Sequence, residues 1–356
     1  METNSRGKIK SIEGLRTIGW IGVFICHFRG SFFPNAIWKT DLTPIRFIYS
    51  GNAYVRLFFV ISGLVLSYKY FTKEKYENAL GDIIKRYFRL MPSILFAELM
   101  VCIFMKLDCL RNAEVAKIVG STEFLGIFNQ FKPDMWECLK EALFTTYFNG
   151  ANGYIGPLWT MTYEYLGSIL ILCALNILKK SQWRWGFYVV FLMAFSSYYN
   201  YFIIGMVICD LFVNTTAVDY LNKNLYARVS CIVIGYIMLS MIQLNDSDKY
   251  TRIVFAIGIV LFMLGILSSD IMEKMFGNKI MLAGGRIAYS AYIIHWPLIE
   301  TLSCSLVLMF YNLGVLCDGL IWGVFVITFI AVVIVSKFIT DNIEPIGAKI
   351  TRNLAI

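Results

Sequence analysis

Apolar stretches long enough to cross a lipid bilayer recur along the whole chain of 356 residues. A hydrocarbon core of about 30 Å needs about 20 apolar residues in helical form, and a helix satisfies its own backbone hydrogen bonds inside lipid. The composition, 58% hydrophobic and 16% charged, departs from the soluble norm of about 25% charged residues. We therefore predict an all-α, polytopic integral membrane helix bundle that forms a single domain over residues 1–356. The roughly ten predicted transmembrane helices are 12–32, 52–72, 90–107, 154–178, 185–199, 201–215, 229–245, 253–269, 287–311 and 317–338.

The basic residues indicate how these helices are oriented. Lys and Arg number 32 against 24 Asp and Glu, an excess that suggests nucleic-acid binding in a soluble protein but reports topology in a membrane protein. With ten spans, 21 of the 32 lie on the side of both termini and 11 on the other, so both termini are predicted to be cytoplasmic and no nucleic acid is expected as a partner. One long span over 185–215 would reverse everything downstream and place five basic residues outside: Lys223, Arg228, Lys274, Lys279 and Arg286.

The first predicted helix carries two ionisable residues, Arg16 and His27. Eleven residues make about three helical turns, so both side chains project from one face within roughly 20° of each other and about 16 Å apart along the axis. Ionisable residues inside a membrane are costly and usually functional. A polar contact between helices is the alternative, but it explains only one of the two.

A basic cluster precedes the third span, at its predicted cytoplasmic mouth. Lys85, Arg86 and Arg89 lie within five residues, and the two arginines are spaced i and i+3, so a helix presents both on one side. Guanidinium groups bind phosphates, which suits a phosphorylated substrate from the cytosol. Topology alone also places basic residues here, and this second interpretation stays open.

Glu164 lies about ten residues into the fourth span, about 15 Å deep at helical rise. A carboxylate at that depth is expected to be paired, protonated or in contact with a substrate, unless it only joins two helices. His295, followed by Trp296 and Pro297, is interpreted first as a structural histidine at a packing kink and second as a substrate-binding residue. The stretch 108–153 between spans has the pattern of an amphipathic surface helix around 136–148.

Several site classes are missing from the sequence. The nine cysteines are scattered without metal-ligand spacing, and there is no phosphate-binding or dinucleotide-binding glycine motif and no esterase-type serine elbow. No metal is therefore expected. Because the chain has only two histidines, imidazole-based catalysis must use His27 or His295.

Taken in order, the motifs resemble those of membrane acyltransferase family 3, which includes O-acetyltransferases of O-antigen and other cell-surface glycans. The resemblance extends over nearly the whole chain. The matching pieces are Gly14-Leu15-Arg16 with His27, Phe58-Phe59-Val60-Ile61-Ser62-Gly63, Arg86-x-x-Arg89, Pro157-Leu158-Trp159-Thr160-Met161-Thr162-Tyr163-Glu164, Tyr289-Ser290-Ala291-Tyr292 to His295-x-Pro297, and Ile343-Glu344-Pro345.

The resemblance implies transfer of an acyl group, usually acetyl, from cytoplasmic acyl-coenzyme A to a sugar hydroxyl of a cell-surface glycan or lipid-linked saccharide. It implies that His27 is the catalytic histidine with Arg16 as its partner, and that Glu164 lines the pore. The cluster of Lys85, Arg86 and Arg89 would hold the donor's phosphates. No permanently bound cofactor is implied, and the location is a cell membrane, the inner or plasma membrane of a bacterium.

Two departures from the family pattern are visible. Where the family often has Gly-Val-Asp, this chain has Tyr54-Val55-Arg56, which suggests that Arg56 meets an anionic acceptor. The chain also carries no secreted esterase-like domain of the kind that some relatives append, so the membrane bundle or a separate partner is expected to complete the transfer.

The predicted mechanism uses neutral His27 as a general base on the acceptor hydroxyl, an assistance typically worth 10² to 10⁴ in rate. Trp159, Thr160 and Tyr163 are predicted to donate hydrogen bonds to the developing oxyanion. An acyl-His27 intermediate is equally consistent with the residues. The competing function is a secondary transporter or a flippase for a lipid-linked sugar, in which the same polar residues would line a path.

Overall fold

The computed structural model describes residues 9–34, 43–72, 79–150, 153–178, 181–195, 197–241 and 249–353, and these residues form helices and turns without any strand. The long apolar runs form helices because every backbone group is then bonded within its own segment. The α-helices are α1 Lys10–Phe32, α2 Gly51–Thr72, α3 Ala79–Lys106, α4 Asn112–Val119, α5 Met135–Lys140, α6 Trp159–Leu178, α7 Arg184–Ala194, α8 Tyr199–Asn214, α9 Ala217–Lys223, α10 Leu225–Met241, α11 Lys249–Leu267, α12 Asp270–Phe276, α13 Lys279–Leu298, α14 Cys304–Asn312, α15 Asp318–Asn342 and α16 Glu344–Asn353. Short 3₁₀ turns at Pro44–Tyr49 and Gly156–Leu158 lead into α2 and α6, π-helical turns occupy Glu141–Thr145 and Ile299–Ser303, and a single helical turn covers Thr146–Phe148.

Six helical segments in the described ranges are long and apolar enough to cross a membrane, and a seventh qualifies if α8 and α9, bent by 71°, count as one. The protein is thus an all-helical, multi-pass membrane protein, as predicted. A helix is also present at each of the ten predicted intervals, but α7 and α10 are shorter apolar helices. The count of ten and the cytoplasmic termini stay predictions. The six segments are Gly51–Thr72, Ala79–Lys106, Gly156–Leu178, Tyr250–Leu267, Lys279–Asn312 and Asp318–Asn353.

The chain divides into two compact units, each assembled from separated segments. The first unit comprises residues 1–22, 39–77 and 170–288, and the second comprises 23–38, 78–169 and 289–356. The helices α1, α6 and α13 each contribute residues to both units. The single-domain organisation over 1–356 stays a prediction.

In the first unit, α2 and α8 approach each other through a pair of glycines. A Cβ on Gly63 would lie 2.1 Å from the carbonyl oxygen of Phe202, and a Cβ on Gly205 would lie 2.1 Å from that of Val60. Only glycine allows two helix backbones to come this close. The glycine in the Phe-Phe-Val-Ile-Ser-Gly motif of α2 therefore serves helix packing.

In the second unit, the stretch predicted as a surface helix is helical from Met135 to Phe148. Asp134 caps its start by accepting hydrogen bonds from the backbone N–H groups of Trp136 and Glu137, and these bonds hold the pKa of the Asp134 carboxyl below its usual value. Three aromatic side chains on this helix, Trp136, Phe144 and Phe148, are exposed, whereas Tyr147 is buried. Such exposed aromatic groups beside polar ones are typical of a helix at a membrane surface.

Candidate active site

The two histidines of the chain meet in the second unit. His27 on α1 and His295 on α13 place Nδ1 and Nε2, respectively, 2.7 Å apart. The ring planes differ by only 7°, with centroids 5.0 Å apart, so the rings meet edge to edge within a common plane, as a hydrogen bond between ring nitrogens requires. His295 is buried, with 1% of its surface exposed, and His27 is half-buried.

Each histidine has further neighbours that limit its orientation. The ring centroids of His27 and Trp296 are 5.3 Å apart, with the two planes nearly perpendicular, and the ring centroids of His27 and Phe124 are 6.1 Å apart. Nδ1 of His295 lies 3.2 Å from the carbonyl oxygen of Ala291, one turn earlier on α13. Both rings are therefore held in place by packing and by hydrogen bonds.

Thr160, predicted to stabilise an oxyanion, contacts Tyr292, and Tyr292 in turn packs near His295. The hydroxyls of Thr160 and Tyr292 are 2.8 Å apart, and both lie within hydrogen-bond distance of the carbonyl oxygen of Pro157, at 3.1 and 2.9 Å. The ring of Tyr292 lies 5.7 Å from that of His295. The Thr160 side chain is buried and hydrogen-bonded, and its predicted role at the oxyanion stays a prediction.

Arg86 and Glu164, predicted for donor binding and for catalysis, form an ion pair with each other in the second unit. Nη2 of Arg86 donates to Oε1 of Glu164, and Nε donates to the Ser168 hydroxyl at 3.0 Å. That hydroxyl in turn donates to the Glu164 carbonyl oxygen at 2.6 Å. Glu164 is therefore paired, which is one of the three states expected for a carboxylate at this depth.

The other two cations of the cluster on α3 have a different environment. Lys85 and Arg89 are exposed, whereas Arg86 is half-buried. The i, i+3 spacing of Arg86 and Arg89 thus does not give the two guanidinium groups equal exposure. Trp159 and Tyr163 on α6 are half-buried, and their rings meet edge to face at 5.9 Å.

Arg16 and Arg56 belong to the first unit. Nη1 of Arg16 donates to Oε1 of Glu13 at 3.0 Å, one turn earlier on α1. Arg56 is completely buried, with its guanidinium 5.3 Å from the centroid of Tyr201 and 5.0 Å from that of Phe255. Cation–π contacts with two rings stabilise a desolvated guanidinium. Its predicted contact with an anionic acceptor stays a prediction.

Three polar groups at the site were not identified from the sequence: Ser168, Tyr292 and the carbonyl oxygen of Ala291. Ser168 follows Glu164 by four residues, and this spacing places both on one helix face. The spacing could therefore have identified Ser168 as a neighbour of Glu164. The carbonyl of Ala291 has no sequence signal, because every residue carries one. No group of three or more His, Cys, Asp or Glu side chains suited to a metal ion occurs among the described residues.

Comparisons with known proteins identify the class of enzyme. The chain matches the family model described as an acyltransferase domain, the acyltransferase 3 model, over residues 9–340. An O-acetyltransferase of Phomopsis amygdali, PaAT-1, is 26% identical in an alignment 352 residues long. The match covers 82% of this chain and 69% of the relative. No solved structure matches the chain significantly. Since the family model extends over nearly the whole chain, the protein belongs to the acyltransferase 3 family and is an acyltransferase.

Proposed function

We propose that the protein moves an acetyl group from acyl-coenzyme A to a hydroxyl of a cell-surface glycan or lipid-linked saccharide, with His27 as the general base. The observation that carries this proposal is the hydrogen bond between His27 and the buried His295 in a chain of acyltransferase type. The similarity to an O-acetyltransferase supports acetyl as the acyl group and oxygen as the acceptor atom. Membership of an acyltransferase family favours transfer over transport.

In the proposed reaction, a ring nitrogen of His27 takes the proton of the acceptor hydroxyl as its oxygen attacks the thioester carbonyl carbon. The tetrahedral intermediate collapses with cleavage of the carbon–sulfur bond, and the proton passes from the imidazolium to the departing thiolate. Trp159 and Tyr163, which remain partly exposed, are the groups we assign to the oxyanion.

The cluster on α3 is the proposed donor site. Lys85 and Arg89 are exposed and free to approach the phosphates of coenzyme A from the cytosol, while Arg86 adds a charge that Glu164 compensates. This assignment requires a cytoplasmic N-terminus, as in the predicted topology of ten spans with both termini in the cytosol. The acceptor would approach from the opposite face of the cell membrane. Glu164, paired with Arg86, is then a supporting residue of the donor site.

The test is a comparison of surface glycans and of coenzyme A release. Mass spectrometry of glycans from cells with the wild-type gene, a deletion and His27→Ala is expected to show loss of an acetyl-sized mass in both mutants. Ile25→Ala, a truncation two residues away on α1, is the matched control and should keep that mass. Purified protein should release coenzyme A from acetyl-coenzyme A, and His27→Ala should not. An unchanged glycan profile in His27→Ala would refute the proposal.

A further inference from the structure

The bond between the two histidines has a direction that the surrounding acceptors determine. A neutral imidazole has one N–H donor and one bare nitrogen, so each ring can donate through one nitrogen only. The carbonyl oxygen of Ala291, 3.2 Å from Nδ1 of His295, is purely an acceptor. Nδ1 of His295 must therefore carry the proton of that ring.

The rest of the proton arrangement follows from this first assignment. With its proton on Nδ1, His295 presents a bare Nε2 to Nδ1 of His27, 2.7 Å away. Nδ1 of His27 then has to be the donor, since two bare nitrogens at that distance would repel. The single proton of His27 is thereby fixed on Nδ1, and its Nε2 carries a lone pair.

The charged alternative leads to the opposite chemistry. A doubly protonated His295 would donate to both Ala291 and His27, and His27 would keep its proton on Nε2, where it could act only as an acid. Burial opposes this state, because a desolvated imidazolium costs several kcal/mol unless a partner compensates it. With 1% of its surface exposed and aromatic rings at Tyr292 and at the adjacent Trp296, His295 lies in a setting that favours the neutral form.

We propose that His295 is a positioning residue: its bare Nε2 accepts the Nδ1–H of His27 and so leaves Nε2 of His27 as the nitrogen that takes the acceptor's proton. The inference rests on the proposed role of His27 as the base, and it names the reacting atom. It replaces the interpretation of His295 as only a packing kink. The arrangement is similar to a catalytic triad in logic, with a neutral imidazole in place of the orienting carboxylate.

The first test reads the tautomers without any activity measurement. Because the chain has two histidines, protein grown with ¹⁵N-histidine gives only two sets of ring-nitrogen signals, and His295→Gln identifies them. At neutral pH we expect both wild-type rings to be neutral with the proton on Nδ1, and a coupling between Nδ1 of His27 and Nε2 of His295. A proton on Nε2 of either ring, or a doubly protonated His295, would overturn the inference whatever the substrate proves to be.

The second test uses three substitutions of the positioning residue. His295→Gln places an amide oxygen near the position of Nε2, His295→Asn falls short of it, and His295→Leu supplies no acceptor. We expect kcat to fall about 10- to 100-fold in the Leu and Asn variants, with KM for acetyl-coenzyme A unchanged, and to recover substantially in the Gln variant. Equal losses in all three would show that the residue acts only through packing. If wild-type protein transfers no acetyl group at all, the proposed function fails, while the tautomer measurement still decides the inference.

Discussion

Glu164 and Arg86 neutralise each other, and Ser168 accepts a hydrogen bond from the same guanidinium. Removing one member leaves a charge in a half-buried setting without its partner, so Glu164→Gln and Arg86→Gln should each destabilise the protein by about 1.5–3 kcal/mol. The double variant removes both charges, so its stability should be close to that of the wild type. Thermal unfolding of the detergent-purified protein measures all three. Losses that simply add in the double variant would contradict the ion pair, because independent sites are additive.

At the scale of residues, the sequence predicted that Glu164 needs a partner but did not predict which residue that partner is. The depth of Glu164 in an apolar segment was enough to predict pairing, protonation or contact with a substrate. Arg86 is 78 residues away, and His295 is 268 residues from His27, so no local periodicity relates these residues. These contacts depend on how the helices pack, and helix packing cannot be predicted from the spacing of residues in one sequence.

At the scale of helices, the close approach of α2 and α8 makes Gly63 sensitive to substitution. Gly63→Ala would set a Cβ 2.1 Å from the Phe202 carbonyl oxygen, which has to move, and we expect a loss of about 1–3 kcal/mol in stability. Gly323→Ala on α15 is the control, because a Cβ there meets no atom within 4 Å and alanine favours the helix. The unfolding temperatures of the two variants should move in opposite directions. A neutral effect of Gly63→Ala would mean that the two helices pack differently.

The π-helical turn after α5 holds a carboxyl group whose ionisation should affect stability. Burial raises the pKa of Glu141 above its ordinary value of 4.5, against the opposing effect of hydrogen bonds from the backbone N–H groups of Tyr154 and Gly153. The folded protein therefore binds this proton more tightly than the unfolded chain. The stability that Glu141 contributes is fully present below pH 4.5 and is lost as pH rises through its raised native pKa.

Glu141→Gln removes this titration and keeps an oxygen that can accept from the Tyr154 N–H. We expect the unfolding temperature of the variant, relative to wild type, to increase as pH rises from about 4.5 and then to level off above the native pKa. Unfolding scans of both proteins over a pH series provide the measurement. A difference that is independent of pH, or that decreases with pH, would be inconsistent with a raised pKa.

Helix positions were more predictable than helix lengths. Hydropathy placed a helix at each of the ten intervals, because a long apolar run has no other way to satisfy its backbone in lipid. It did not reveal that α7 has only 11 residues, or that α8 and α9 meet at 71°. Pro297 did indicate an irregular helix, and a π-helical turn begins two residues later at Ile299.

At the scale of the whole molecule, the two compact units are not visible in the sequence. Three of their five boundaries, near residues 22, 169 and 288, fall inside apolar helices. No change in composition marks them. Arg16 and His27, which the helical period places on one face of α1, are in different units.

The number of crossings decides on which side of the membrane the residues that follow α8 lie. At 11 residues, α7 is about 16 Å long, well short of a hydrocarbon core of about 30 Å. Ten spans place Cys109 and Cys317 on the same, extracytoplasmic side. If residues 184–214 cross only once, Cys317 lies on the side opposite to Cys109. These two exposed cysteines therefore distinguish the topologies.

Two variants each keep one cysteine, Cys109 or Cys317, in an otherwise cysteine-free chain. We expect a membrane-impermeant maleimide to label both variants in intact cells. Lys85→Cys in the same background is the cytoplasmic reference, since Lys85 is exposed, and it should react only after permeabilisation. Labelling of Cys317 that requires permeabilisation, with Cys109 labelled directly, would show nine crossings. The positive-inside rule would then fail for five basic residues, namely Lys223, Arg228, Lys274, Lys279 and Arg286. The cluster of Lys85, Arg86 and Arg89 lies upstream of the change, so it would keep its side and the donor site would keep its cytosolic access.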